Sequence, residues 1–181
     1  MFMWIALFRG VNVGGKHVLP MKALVRELES LGLENVKTYI QSGNAVFQSS
    51  RKISARLGAR IAAKVAKSHG FKPHVLILSA DQLEDAIESN PFPDAEAEPK
   101  TLHFFFLASA PAAPDVESLN RAKSPSERFH LTDGVFYLHT PNGMGRSKLA
   151  ACAEKSLGVP VTARNWRTVL KLREMAAATD P

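Results

Sequence analysis

A strand, a helix, two strands, a helix, a strand and a helix follow one another twice along this chain. That repetition predicts an α+β fold of two tandem ferredoxin-like (βαββαβ) subdomains packed as one body. Two details support it. Gly43 and Gly134 hold equivalent places, each in the turn between the second and third strand of its half. Pro73 and Pro160 each stand just before the fourth strand. Identity between the halves is low, so the repeat is one of pattern rather than of residues.

In the first half, residues 3–9, MWIALFR, read as a buried strand. Pro20 suits the first turn of a helix, where its missing N–H is no loss. Met21, Leu24, Val25, Leu28 and Leu31 then recur at helical spacing, and Gly32 is a suitable stop. VKTYIQ and NAVFQS flank Ser42-Gly43 as a hairpin. Ile53, Leu57, Ile61 and Val65 mark a second helix that ends near Gly70, and HVLILS is the fourth strand. Ser79 and Gln82 match a capping box, Ser-x-x-Gln, with Leu83 and Ile87 turned inward behind it. Asn90-Pro91 ends that helix.

The stretch PFPDAEAEPK, residues 91–100, is Pro-rich and acidic and is the predicted linker between a first subdomain at 1–90 and a second at 101–181. In the second half TLHFFFLA is apolar at both parities, so its strand should be buried on both faces. A short helix at Val116–Arg121 follows, then RFHLT and VFYLHT around Asp133-Gly134. Leu149, Cys152, Ala153 and Leu157 mark the next helix, with Gly158 as its stop. VPVTA is the last strand, and Asn165 is the expected N-cap of a final helix carrying Val169, Leu170 and Met175.

The net charge of +6 favours anionic partners, a small molecule or a nucleic acid. The Lys and Arg residues are nevertheless spread along the chain, with no block of five or six like charges. No apolar run approaches the ~18 residues of a membrane span, and MFMWIALFRG lacks the basic region and cleavage site of a signal peptide, so no membrane partner is expected. Cys152 is the only cysteine, which excludes an intrachain disulfide and fits the cytoplasm.

RGVNVGGKH, residues 9–17, fits the phosphate-binding P-loop up to its last position, where His17 replaces the Ser or Thr that would hold Mg²⁺. Its helix also opens too late, at Pro20, and the sheet type is wrong. The stretch reads instead as a Gly-bent turn in which Asn12 makes local hydrogen bonds. In the split-βαβ order, strands one and two run parallel, so Arg9, Asn12 and Lys16 should lie near Gln41, Ser42 and Asn44. That polar edge is a ligand-site candidate; the same side chains could equally pin the loop to the hairpin.

The second candidate lies in PNGMGRSKL and TARNWR. Strands three and four of the second half should end at one edge, each leading into a helix whose N-terminus carries roughly half a positive charge. Arg146, Lys148, Arg164 and Arg167 add cations, Gly143 and Gly145 admit close backbone approach, and Ser147 and Asn165 are candidate caps or ligand donors. The alternative is that Ser147 and Asn165 merely cap and the arginines are solvated. The corresponding edge of the first half carries Arg51 and Lys52 but also Asp81. The six histidines have no metal-ligand spacing, no carboxylate pair is placed for acid–base work, and Ser42 lacks the G-x-S-x-G elbow. No cofactor or metal is therefore expected. The leading expectation is a protein that binds an anion through polar Gly-rich loops. A metal-independent enzyme on a phosphorylated or nucleotide-like substrate, and an interaction module pairing as a homodimer, stay open.

ALFRGVNVGGK, YIQSGNAVF, NPFP, GRSKL and TARNWRTV, in this order and spacing, resemble the signature segments of the bacterial domain-of-unknown-function 1697 family. The resemblance runs over roughly residues 3–175. It implies a pair of ferredoxin-like subdomains and no established activity, so no residue inherits a role from it.

Overall fold

The structure is a computed structural model that describes residues 1–50, 53 and 56–178; Arg51 and Lys52 lie outside the described residues. The chain forms two compact units, Met1–Glu84 with Lys171–Pro181, and Asp85–Leu170. In chain order the first eight elements are β1 (Phe2–Arg9), α1 (Met21–Glu29), β2 (Glu34–Tyr39), β3 (Asn44–Ser49), α2 (Leu57–His69), β4 (His74–Ser79), α3 (Ala80–Glu88) and β5 (Leu102–Leu107). They are followed by α4 (Val116–Ala122), β6 (Arg128–Leu131), β7 (Val135–His139), α5 (Lys148–Leu157), β8 (Val161–Asn165) and α6 (Trp166–Ala177).

Each unit holds one four-stranded, wholly antiparallel sheet. The orders are β2-β3-β1-β4 and β6-β7-β5-β8, the same permutation shifted by one half. In both, the first strand of the half is central, and all six residues of β5 are buried, as LHFFFL requires. Both hairpin turns close against that strand in the same way. The Phe8 N–H donates to the Gly43 carbonyl at 2.8 Å, and the Leu107 N–H to the Gly134 carbonyl at 2.9 Å.

The helices pack as their spacing dictates. Leu24 and Leu28 of α1 and Ile61 and Val65 of α2 meet Ala6, Phe8, Ala45 and Phe47 of the first sheet. In the second unit Leu149, Ala153 and Leu157 of α5 and Leu119 of α4 meet Phe105, Phe136 and Leu138. The other face of β5 is aromatic: the Phe104 ring lies 4.8 Å edge-on from Tyr137 and 5.3 Å from Trp166. The Ser79–Gln82 box closes reciprocally, Ser79 N–H to Gln82 Oε1 at 2.9 Å and Gln82 N–H to Ser79 Oγ at 3.1 Å. Helix α2 opens at Leu57, so Ile53 packs on the core from the segment ahead of it. Residues 93–97 form a 3-10 turn with Phe92 and Ala95 buried, held by the Asn90 amide donating to Glu96 Oε1 at 2.8 Å.

Gly43 is demanded twice over. Its φ of +81° is left-handed, and a Cβ there would sit 2.6 Å from both Phe8 Cβ and Val11 Cγ2. Gly134 has open space around it. Gly43→Ala should therefore destabilise the first unit by about 3 kcal/mol, the sum of a left-handed penalty and overpacking. Gly134→Ala should stay within about 0.5 kcal/mol of the parent, as substitutions away from such constraints do. Urea denaturation of the two variants checks the contrast.

Candidate functional site

The 9–19 loop is a small knot rather than a phosphate cradle. Lys16 N–H returns to the Val13 carbonyl and Asn12 N–H to the His17 carbonyl, both at 3.0 Å, so residues 13–16 turn back on themselves. Helix α1 starts only at Met21, behind Pro20. Asn12 sits at a φ of +52°, a conformation Asn tolerates better than most residues. Its amide nitrogen donates to the carbonyls of Gln41 at 2.7 Å and Leu19 at 2.9 Å, and its oxygen accepts from the Leu19 N–H at 2.7 Å. The His17 ring bonds the Gly10 carbonyl at 2.9 Å and stacks on Phe71 at 4.7 Å. Asn44 is fully buried, with its amide donating to the Tyr39 carbonyl at 3.1 Å and to Ser42 Oγ at 3.3 Å. The loop and the hairpin do meet at one edge, but the polar atoms of Asn12 and Asn44 are spent in holding them together. Arg9, Lys16 and Gln41 remain exposed around that knot.

In the second unit a cleft of about 440 Å³ opens ahead of α5. Asn142, Gly143, Arg146, Ser147 and Lys148 form one wall, and Arg121, Ser124 and Glu127 contribute from α4 and the segment after it. Helices α4 and α5 pack on each other, which brings those two segments together. Ser147 caps α5, its hydroxyl accepting from the Ala150 N–H at 2.9 Å. Glu127 is buried, and one of its oxygens accepts from the Ser124 N–H at 2.9 Å. Arg121 pairs with Glu117 and bonds Ser118 Oγ. Among the described residues Arg146 and Lys148 are exposed and have no ion pair. The cleft thus brings two cations that form no ion pair among the described residues to the start of α5, with the Glu127 carboxylate in the same lining.

Arg164 and Asn165 do not line this cleft. Asn165 caps α6, accepting from the Thr168 N–H at 3.0 Å. Arg164 is not a solvated cation. It pairs with Phe104 in the sheet register and donates to the Ala163 carbonyl at 2.7 Å, and burial lowers its pKa to about 10. The two helix starts that sequence reasoning combined are therefore distinct, and only the α5 start opens on the cleft.

A second polar cluster lies at the β6–β7 edge. The Arg128 guanidinium reaches both Asp94 oxygens, at 3.2 and 2.6 Å, and His139 Nδ1 at 3.0 Å, with its carbon 4.8 Å above the Phe92 ring. The arginine holds Asp94 below the usual carboxylate range through its hydrogen bond. His139 accepts with Nδ1, so its ring proton is on Nε2; burial first and the Arg128 charge second lower its pKa. His103 is buried and is lowered chiefly by desolvation. Cys152 donates to the Leu149 carbonyl at 3.4 Å within its own helix. Among the described residues no group of His, Cys, Asp and Glu could hold a metal, and no helix is long and apolar enough to cross a membrane.

Comparison with known proteins adds the following. The family model described as "Protein of unknown function (DUF1697)" matches residues 1–137. A conserved bacterial protein of known structure from Streptococcus pneumoniae is similar over 97% of this chain and 98% of its own, with a TM-score of 0.67 at 26% identity. No curated protein matches.

Two measurements test this geometry. Asn12→Ala removes three hydrogen bonds from the knot and leaves the Leu19 N–H and the Gln41 carbonyl in need of partners; the expected loss is about 1–3 kcal/mol, with faster amide exchange at Leu19. The histidines set a pH dependence. Both have folded pKa values below the ordinary 6.5, so the unfolded chain binds protons first as pH falls. Their contribution is complete above pH 6.5 and is lost as pH drops through the folded values. Urea midpoints should fall across that window, and the fall should flatten in His103→Gln and His139→Gln.

Proposed function

Taking as premise that the chain belongs to the DUF1697 family of proteins of unknown function, we propose that it binds a small phosphate-bearing ligand in the cleft ahead of α5. The observation that carries this reading is the pair Arg146 and Lys148, exposed and without an ion pair among the described residues, at the mouth of a cleft that also receives the α5 N-terminus. Two cations beside a positive helix end repel one another and the dipole. An anion between them converts that repulsion into charge-assisted hydrogen bonds. Glu127 lines the same cleft but forms no ion pair with either cation; one of its oxygens accepts from the Ser124 N–H. Asn142 and Ser124 supply neutral polar groups at the wall, suited to a sugar or hydroxyl beside the phosphate. The Ser147 hydroxyl is committed to its cap and the Glu127 carboxylate to a backbone N–H, which supports binding rather than acid–base or nucleophilic chemistry there.

The same reading takes each half as ferredoxin-like, supported by the repeated sheet permutation and by the matched closure of Phe8 on Gly43 and Leu107 on Gly134. It places the protein in the cytoplasm, where phosphorylated metabolites are found and a lone thiol stays reduced.

The test is a thermal-shift titration with inorganic pyrophosphate, adenosine monophosphate and a sugar phosphate. A ligand at one hundred times its dissociation constant adds about 2.7 kcal/mol, a rise of several degrees for a chain of this size. Arg146→Ala combined with Lys148→Ala should abolish the rise for every probe that produces one. A rise that survives both substitutions would place the ligand elsewhere.

A further inference from the structure

The positive charge of the protein belongs to one unit. In the sequence of the first unit Lys and Arg outnumber Asp and Glu by 14 to 7; in the second the figures are 9 and 10. Within the first unit, residues 35–80 contain eight Lys and Arg and no Asp or Glu. Helix α2 lies inside this stretch. Arg56, Arg60, Lys64 and Lys67 occupy its i, i+4, i+8 and i+11 positions, an arc of about 80° on the helical wheel, along a rise of about 16 Å. The buried residues Leu57, Ile61 and Val65 lie outside that arc.

Helix stability accounts for Lys67, which lies in the last turn, but not for Arg56 and Arg60 at the start. Cations near a helix N-terminus oppose the dipole, and α2 begins with Arg56 as an N-cap that makes no capping bond, with no acid in its first turn. Four other helices open with capping side chains: Ser79 with Gln82, Asp115, Ser147 and Asn165. Nor are the charges balanced by neighbours. Lys64 lies 3.7 Å from Glu27, but among the described residues Arg56, Arg60 and Lys67 have no ion pair and are exposed. The helix is also held tightly on the sheet. A Cβ at Gly58 would come within 2.6 Å of the Val75 carbonyl oxygen, so α2 presents the stripe from a fixed platform.

We propose that the basic face of α2 is a docking surface for the phosphate backbone of a double-stranded nucleic acid. The residues between the cations decide the kind of partner. On the exposed side they are Ala59, Ala63 and Ser68, small side chains that let a backbone approach closely. No large apolar side chain is exposed on α2, so the face lacks what a membrane-inserting helix buries and the anchor a protein interface is built on. The helix also carries no Phe, Tyr or Trp, and its one imidazole, His69, is at its last position, which leaves little of the base stacking on which single-strand binding relies. What remains is recognition by charge along a line, the sequence-independent mode of duplex binding. The stripe shares no residue with the α5 cleft, and either reading can fail without the other.

Fluorescence anisotropy with a labelled 20-base-pair duplex, titrated at several salt concentrations, tests the proposal. Engagement of all four cations gives a log–log salt slope near −3.6, so binding weakens roughly 150-fold between 50 and 200 mM salt. Arg56→Ala, Arg60→Ala and Lys67→Ala together should bring the slope to about −0.9, and Arg56→Lys with Arg60→Lys should retain binding. A control triple variant in the second unit, Lys100→Ala, Lys155→Ala and Arg167→Ala, should keep the parent slope. Circular dichroism establishes that each variant is folded. The proposal is overturned if the duplex does not bind, if the α2 and control variants lose the same amount, or if single strands, anionic vesicles or poly-glutamate bind as tightly as the duplex.

Discussion

A strand hydrogen-bonded along both edges and covered on both faces has no room for charge, and each half of this protein is arranged around one. β1 and β5 each pair with two neighbours, and the residues that pack beneath them are branched or aromatic. Charged residues are thereby displaced from these two central strands to strand ends, loops and helix faces. Arg9 closes β1 and is exposed, while Ile5, Ala6, Leu7 and Phe8 ahead of it are buried. The places where the protein can meet a ligand follow from this constraint: they are the ends of the sheets and the backs of the helices.

At those ends polar groups serve two different purposes. Asn12 joins its own loop to Gln41, 29 residues away, and each of its hydrogen bonds goes to backbone. Buried and half-buried amides of this kind carry high stakes, because a lost partner leaves a desolvated group behind. Arg146 and Lys148 are the opposite case, exposed cations that form no ion pair among the described residues. The contrast separates residues that build the edge from residues presented by it. Arg128 belongs to the first group: it gathers Asp94, His139 and the Phe92 ring around one guanidinium and so fastens the 92–97 segment beside β6 and β7.

Charge is distributed with the same logic. The second unit is close to neutral in its Lys, Arg, Asp and Glu content, and its cations of interest are local to one cleft. In the first unit the excess is extended along a helix and has no acidic counterpart over 46 residues. Local cations in a concavity suit a small anion; cations along a convex rod suit a polymer. The two surfaces are alike in sign and differ in shape.

The sequence by itself determined most features that depend on neighbours a few residues apart, the start of α2 at Leu57 rather than near Ile53 being an exception. The both-parity apolar run LHFFFL, the Ser79–Gln82 box, the caps Ser147 and Asn165, and the hairpin glycines were all legible, because periodicity and capping are short-range physics. The tertiary structure alone decided which polar groups find partners. Arg164 is a basic residue after a short strand and reads as a ligand cation or a solvated side chain, yet the pairing of β8 with β5 places it opposite Phe104, and burial lowers its pKa to about 10. Arg121, Ser124 and Glu127 gave no signal of belonging with Arg146, because only the packing of α4 on α5 brings them to one cleft. The α2 stripe lies between these cases. Its spacing of four, four and three is present in the sequence but forms no continuous block of like charges, and its exposure follows only because Leu57, Ile61 and Val65 claim the other side of the helix. Side-chain identity sets what a group can do; long-range packing sets whether anything is left for it to do.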